Sequence, residues 1–334
     1  MRQERTALVL GATGGIGGTV ARRLKARGWH VRAMARQGRM LAACRNFEWV
    51  AGDAMNASDV ARAANGAALI VHAVNPPGYR DWQRLVLPML DNTIAAAKSE
   101  GARILLPGTV YNYGPDAFPE IDEASPQNPV TRKGKIREEM ERRLEVSAGE
   151  GARALILRAG DFFGPRAGNN WFSQGLVKPG KPVTSITCPG TMGVGHQWAY
   201  LPDVAETMAA LAERENELDD FATFHMNGHW DEDGNRMVEA IRRATGNPTL
   251  RAYPMPWPVM RLLSPVVPLF RELVEMRYLW RQPIRLRNDR LIDFLGAEPH
   301  TPLDRAVRET LEALGCLPPA GRATARTVRL AEGR

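Results

Sequence analysis

Short apolar runs alternate with amphipathic stretches over the first 160 residues. Thr6 to Leu10 (TALVL) predicts a buried strand, and Gly15 to Arg27 a helix with Val20, Ala21 and Leu24 at helical spacing. His30 to Ala35, Phe47 to Ala51 and Ala68 to Ala73 predict three further strands. A long helix is expected over Asp81 to Glu100, and a fifth strand over Arg103 to Leu106. Lys133 to Val146 predicts a charged amphipathic helix and Ala154 to Leu157 a sixth strand. Strands and helices alternating at this spacing predict βαβ units, a parallel sheet and right-handed crossovers that place helices on both faces. After Gly164 the alternation fades and proline and glycine become dense. Helices are expected again at Pro202 to Glu213 and Met237 to Thr245, and a strand at Phe221 to Met226. Tyr253 to Trp280 is apolar, with five prolines and interspersed Arg and Glu. It reads as core or interface packing; a lid, an oligomer interface and a membrane-surface segment are the alternatives. The tail from Ala320 reads as frayed.

The expected fold class is therefore α/β, a doubly wound parallel sheet. Residues 1–164 form the main domain, with its sheet completed by later segments around 198–226. Residues 165–334 form mainly a smaller C-terminal substrate-binding subdomain and tail. A chain of 334 residues can bury such a core, and 44% apolar with 24% charged residues is ordinary globular composition. The formal charge of +7 comes from Arg rather than Lys and contains no basic run of five, so no nucleic-acid partner is expected. Cys44, Cys188 and Cys316 make no CxxC pair, which excludes a disulfide-stapled framework. No run of about 18 apolar residues marks a membrane span, and the first residues do not read as a signal peptide. A cytoplasmic protein with no membrane partner is expected.

Gly11-Ala12-Thr13-Gly14-Gly15-Ile16-Gly17 directly follows the first strand and opens the first helix. In that context the glycines let backbone N–H groups approach a pyrophosphate, and the helix N-terminus adds partial positive charge. A Rossmann domain with Gly11, Thr13, Gly14, Gly15, Ile16 and Gly17 on a dinucleotide is the reading. Arg36 ends the second strand, with Arg39 close behind, where an acidic residue would hold the ribose 2′-OH of NAD. An arginine pairs instead with a 2′-phosphate, so NADP is expected over NAD. Asp53, beside Ala54, stands where a carboxylate accepts from the adenine amino group. Ala73, Val74 and Asn75 lie at the carboxyl end of the fourth strand, where ligands bind in open α/β sheets.

These features resemble the short-chain dehydrogenase/reductase superfamily, in its extended NAD(P)-dependent epimerase/dehydratase branch, over roughly residues 6 to 210. Leu106 to Gly114 (LPGTVYNYG) resembles the family's fifth-strand segment and puts Thr109 at its catalytic hydroxyl position. Arg158 to Pro165 (RAGDFFGP) resembles the segment after the sixth strand. Trp198 to Ala205 (WAYLPDVA) resembles the strand leading into an Asp-Val-Ala helix start. The resemblance places the lysine of the family's Tyr-x-x-x-Lys pair at Lys135, with Glu139 following, and implies that Lys135 contacts the nicotinamide ribose. Thr131 then stands at the tyrosine position and cannot replace a phenol as proton donor. Tyr111 and Tyr113, near Thr109, are the candidate phenols. Lys135 is itself a candidate acid/base.

The family's nucleotide-sugar members often carry Asn where this chain has Asp161 and Arg where it has His196, which argues against a diphosphate substrate. Thr109, Tyr113, Asp161, Asn170, Trp171 and His196 are the candidate substrate residues, with Asn169 to Trp171 beginning the substrate-side loop. His225-x-x-x-His229 and Asp231 to Asn235 lack the spacing of metal sites, so no metal is expected. The expected function is an NADP-dependent oxidoreductase acting on a small or medium carbonyl or enone compound. A catalytically inactive NAD(P)-sensing protein is the alternative and a sugar-nucleotide epimerase or dehydratase the third. A homodimer is the implied assembly, by family analogy.

Overall fold

In the computed structural model, which describes residues 5–37, 46–76, 81–168 and 170–317, the first half alternates as its apolar runs predict. The strands β1 (Thr6–Leu10), β2 (His30–Ala35), β3 (Glu48–Ala51), β4 (Ala67–His72) and β5 (Arg103–Gly108) are interleaved with α1 (Gly15–Ala26), α2 (Ala57–Ala64) and α3 (Trp82–Glu100). The short β6 (Glu120–Ile121) and α4 (Arg132–Ala148) lead to β7 (Ala154–Arg158) and β8 (Asp161–Phe163). The second half carries β9 (Ile186–Cys188), β10 (His196–Tyr200), α5 (Leu201–Glu213), β11 (Phe221–His225), β12 (His229–Asp231) and α6 (Arg236–Thr245). It ends with β13 (Ala252–Pro254), α7 (Trp257–Leu263), α8 (Pro268–Glu275), β14 (Arg285–Leu286), α9 (Asp289–Leu295) and α10 (Leu303–Ala313). Arg39, Cys44, Asn169 and the tail from Ala320 lie outside the described residues.

The main sheet is parallel throughout, in the order β3-β2-β1-β4-β5-β7-β11. Its central strands are near-continuous apolar runs because both faces are covered. The pleat sends Ala7 and Val9, Leu69 and Val71, and Leu155 and Leu157 to one face, against Val20 and Leu24 of α1 and Val204 and Met208 of α5. It sends Leu8 and Leu10, Ile70, and Ile104 and Leu106 to the other, against Val60 of α2, Leu90 of α3 and Leu144 of α4. Truncating one of these fully buried leucines to alanine costs about 2–5 kcal/mol.

One expectation is corrected. Of the span 198–226, only β11 joins the main sheet. β10 pairs parallel with β8 and antiparallel with β12 in a separate three-stranded sheet. The aromatic side chains explain the switch: Trp198 and Tyr200 pack around Phe163, with ring centroids 6.4 and 5.4 Å away. That packing nucleates a second core with Phe172, Met237, Ile241 and Trp280, which also recruits Tyr113, Ala117 and Ile121 from the first half. In return, α9 sends Leu291 and Phe294 back to the first core. The two halves interleave.

Three of the four buried histidines among the described residues are held neutral by this framework. Burial, helped by the nearby charge of Arg137, pushes His72 down to about 3. Burial, with His300 close by, pushes His229 down to about 4, and burial beside Arg158 holds His225 well below its ordinary value. These side chains stay neutral in the fold, whereas the unfolded chain protonates them near pH 6.5. Below that pH the unfolded state binds more protons, so stability falls as the pH drops from about 6.5 toward 4. Urea unfolding should show a loss of about 1–2 kcal/mol per histidine between pH 7 and pH 5. An unchanged midpoint would contradict their neutral burial.

Candidate active site

The glycine loop builds a cradle. Gly11 has φ +88, and a Cβ there would lie 2.4 Å from the Ala73 carbonyl oxygen, so β1 turns sharply against the end of β4. Gly14 donates its N–H to the Gly11 carbonyl at 2.9 Å and caps α1 without a side-chain bond. The first turn of α1 carries no acidic residue. Its N–H groups have no intrahelical partner and face the cradle, which suits a pyrophosphate. Thr13 is exposed at the rim and Ile16 is half-buried behind it. The segment after Gly164 closes the other side: a Cβ on Gly15 would lie 2.3 Å from the Ala167 carbonyl oxygen. Arg36 is exposed at the end of β2. Asp53 is held by its own turn, Oδ1 accepting from Met55 N–H at 3.0 Å, while Ala54 is buried. Ala73, Val74 and Asn75 run out from β4 toward the loop. The donors and the missing side chains in this cradle fit a dinucleotide.

Beyond β5, a fully buried guanidinium organises the centre. Arg158 Nη2 donates to Glu141 at 2.7 Å, Nη1 to the Thr109 carbonyl at 2.5 Å and Nε to His225 Nε2 at 3.2 Å. Glu141 also accepts from Gln127 and from Asn112, and Asn112 Oδ1 accepts from the Thr109 hydroxyl at 2.7 Å. Thr109 is thereby aimed from the strand end. Tyr113 belongs to this buried network: it is 1% exposed, and its hydroxyl meets His225 Nε2 at 3.1 Å. Burial pushes its phenol up to about 12. It lies beneath the site and is corrected from a substrate contact to a packed structural residue.

Glu141 sets the phase of α4. Residues at four-residue intervals share its inward face, so Arg137 and Lys133 follow it. Lys133 is buried and paired with Glu272 of α8 at 2.7 Å. Lys135 is turned about 160° from both by helix geometry and is exposed. The i, i+4 pair on the Glu141 side of the helix is therefore Lys133 and Arg137, while Lys135, expected at the nicotinamide ribose, stands on the exposed face. Thr131 is the N-cap of α4, its hydroxyl accepting from Gly134 N–H at 2.9 Å. It closes the helix end instead of entering the site.

Tyr111 occupies the ground in front of α4. A Cβ on Gly134 would lie 2.2 Å from the Tyr111 carbonyl oxygen, so only glycine allows this approach. The Tyr111 phenol stands beside the side chains of Thr109 and Arg137. Burial raises its pKa, against the lowering effect of the Arg137 cation. Arg137 lies over the Trp82 ring at 5.3 Å, and its buried Nε has no hydrogen-bond partner among the described residues.

The two substitutions noted against a diphosphate substrate meet each other. His196 Nε2 lies 2.8 Å from Asp161 Oδ2, and the imidazole stacks on Trp280 at 3.6 Å with 12° between the planes. Trp280 also contacts Trp198 and Trp171, and Trp171 contacts Trp257. Beside them lies a small, mainly apolar pocket lined by Leu176, Cys188, Met192, Val194, His196 and Trp280, among others. Asn170 accepts from Ser173 N–H and donates to the Gly168 carbonyl, so it shapes the loop that presents Trp171. Trp257 and Trp280 escaped the sequence reading because they come from the proline-rich segment, which carries no motif. Among the described residues no helix is long and apolar enough to cross a membrane.

Comparison with known proteins places this geometry. Residues 11–162 match the NAD(P)H-binding family NAD_binding_10. The protein y4nL of Sinorhizobium fredii, itself uncharacterized, is 28% identical over 180 residues, 47% of this chain and 51% of that protein. The matching region spans about half the length of that relative. A candidate epimerase from Burkholderia cenocepacia superposes with a TM-score of 0.72 at 18% identity, covering 95% of this chain and 100% of that one. UDP-glucose 4-epimerase from Brucella ovis, solved with NAD, gives 0.72 at 15% identity over 93% and 98% of the two chains. UDP-glucuronic acid 4-epimerase from Bacillus cereus, also solved with NAD, gives 0.71 at 16% identity over 92% and 98%. At these identities the likeness is one of fold. Residues 11–162 thus match an NAD(P)H-binding domain, and the chain shares the Rossmann-type fold of these epimerases.

Proposed function

We propose that the protein is an NADP-dependent oxidoreductase that reduces an apolar carbonyl or enone compound. The observation that carries the reading is the phenol of Tyr111, set beside Thr109 and Arg137. Bound NADPH would supply the hydride. Tyr111 then donates its phenolic proton to the substrate oxygen, and the Thr109 hydroxyl, turning away from Asn112 Oδ1, donates a second hydrogen bond to that oxygen. The raised pKa keeps that phenol protonated at neutral pH before transfer. Arg137 stabilises the phenolate left behind. The tyrosine and the cation thus come from different elements, the phenol from the β5 exit and the guanidinium from α4. Arg36 supports the choice of NADP, since its exposed guanidinium can grip a 2′-phosphate.

The apolar wall around Trp198 and Trp280 supports an apolar substrate. The Asp161–His196 pair disfavours a sugar nucleotide, because it puts a carboxylate where a diphosphate would need cations. The sensing alternative keeps one observation in its favour. Lys133, on the inward face of α4, is closed off by Glu272.

Calorimetric titration with NADPH and NADH, then NADPH oxidation against aldehydes, ketones, quinones and enones, tests the proposal. Tight NADPH binding with turnover is expected. Binding without turnover on any compound favours the sensor, and turnover of a UDP-sugar would overturn the substrate assignment. Tyr111→Phe should lower kcat about 10²–10⁴-fold while leaving NADPH affinity unchanged. Lys135→Ala should leave both parameters within about twofold, as expected for an exposed outer-face residue away from specific contacts; a collapse of kcat there would restore Lys135 to the site. Arg36→Asp should weaken NADPH binding selectively. An unchanged NADPH/NADH preference would remove Arg36 from the cofactor assignment.

A further inference from the structure

The proline-rich segment carries a surface that the cofactor site does not use. Eleven large hydrophobic side chains are exposed among the described residues, and six of them lie between residues 253 and 269. α7 and α8 form a hairpin whose connection bends back through Val266 and Val267 N–H groups on the Leu263 carbonyl. The inner side of α7 buries Trp257 and Met260, and Trp257 Nε1 donates to the Pro189 carbonyl at 2.9 Å. The outer side presents Val259, Leu262, Leu263, Val266 and Leu269. Leu262 and Val266 are 78% and 76% exposed, so the tip protrudes instead of resting in a groove. Patches of this kind mark binding sites for apolar partners.

The surrounding charge selects the partner. From Ala240 to Arg271 the chain contains no Asp or Glu. Arg251, Arg261 and Arg271 are all exposed around the hairpin, and Arg281 follows. The first carboxylates beyond, Glu272 and Glu275, lie mainly against α4, where Glu275 accepts from Arg132 N–H at 2.8 Å and Glu272 pairs with Lys133, although Glu272 also lies 3.7 Å from Arg271 Nε. A second copy docked about a two-fold axis would bring the arginines of the carboxylate-free stretch 240–271 face to face. An anionic lipid surface meets both properties: aliphatic side chains enter the acyl boundary while guanidinium groups bind headgroup phosphates. Tyr253, 48% exposed, suits the interface between the two zones.

We propose that the α7–α8 hairpin docks the protein onto anionic membrane surfaces, with Leu262 and Val266 inserted and Arg251, Arg261 and Arg271 on the headgroups. This replaces the expectation of no membrane partner, and it stands without the cofactor reading. The full-length protein is sedimented with phosphatidylcholine vesicles and with vesicles containing roughly one-third phosphatidylglycerol. Binding to the anionic vesicles is expected at least about tenfold above the neutral ones, falling with added salt. Leu262→Ser with Val266→Ser should reduce it at least about tenfold at an unchanged unfolding temperature, since both side chains are already in solvent. Arg261→Glu with Arg271→Glu should abolish the preference for anionic lipid. No binding to either vesicle, or binding that the variants leave intact, overturns the proposal. A dimer in sedimentation velocity that Leu262→Ser with Val266→Ser dissociates would also overturn it and assign the ridge to a second copy.

Discussion

The ion pair between Arg158 and Glu141 is the contact on which the candidate site depends. Both side chains are buried, so neither charge can be left without the other. The pair ties the end of β7 to the middle of α4, and the remaining guanidinium nitrogens reach the Thr109 carbonyl and His225. One side chain therefore fixes three things at once: the height of the β5 exit, the position of β11 and the rotation of α4. From that rotation follows which cations of α4 are packed and which are exposed. A helix anchored at Glu141 must present Arg137 and Lys133 inward and Lys135 outward, whatever the local sequence suggests.

The substrate side shows the same interdependence. Asp161 and His196 read separately as two unfavourable substitutions for phosphate binding. In space they are a single unit, with the carboxylate at hydrogen-bonding distance from the imidazole and Trp280 covering the ring. A polar pair closed on itself and roofed by an indole leaves an apolar wall to whatever enters. Four tryptophans from distant positions, 171, 198, 257 and 280, continue that wall.

The fold was largely legible in the chain because its signals are local. Each buried strand is a short apolar run, and the glycine loop stands between a strand and a helix as its chemistry requires. The cofactor cradle was legible for the same reason. The rotation of α4 was not, because Thr131 and Lys135 satisfy the i, i+4 spacing as well as Lys133 and Arg137 do. Spacing alone is blind to rotation, and only the long-range partner of Glu141 settles it. Tyr113 looked equivalent to Tyr111 from two positions away, yet a 3₁₀ turn sends one to His225 and the other to Thr109. The aromatic wall was hidden because its members come from four separate segments.

The contact between Gly15 and the Ala167 carbonyl bears on how such a chain can change over generations. A hydrogen atom is the only side chain that lets the 166–168 segment rest on the first turn of α1. The nucleotide cradle and the wall facing it are consequently not separate modules. A recombinant that took its second half from a relative bearing a larger residue at position 15 would inherit a loop shaped for a different floor. Exchange of substrate preference in this lineage must proceed by substitutions inside the cavity, or by replacing the glycine loop and the 166–168 segment together.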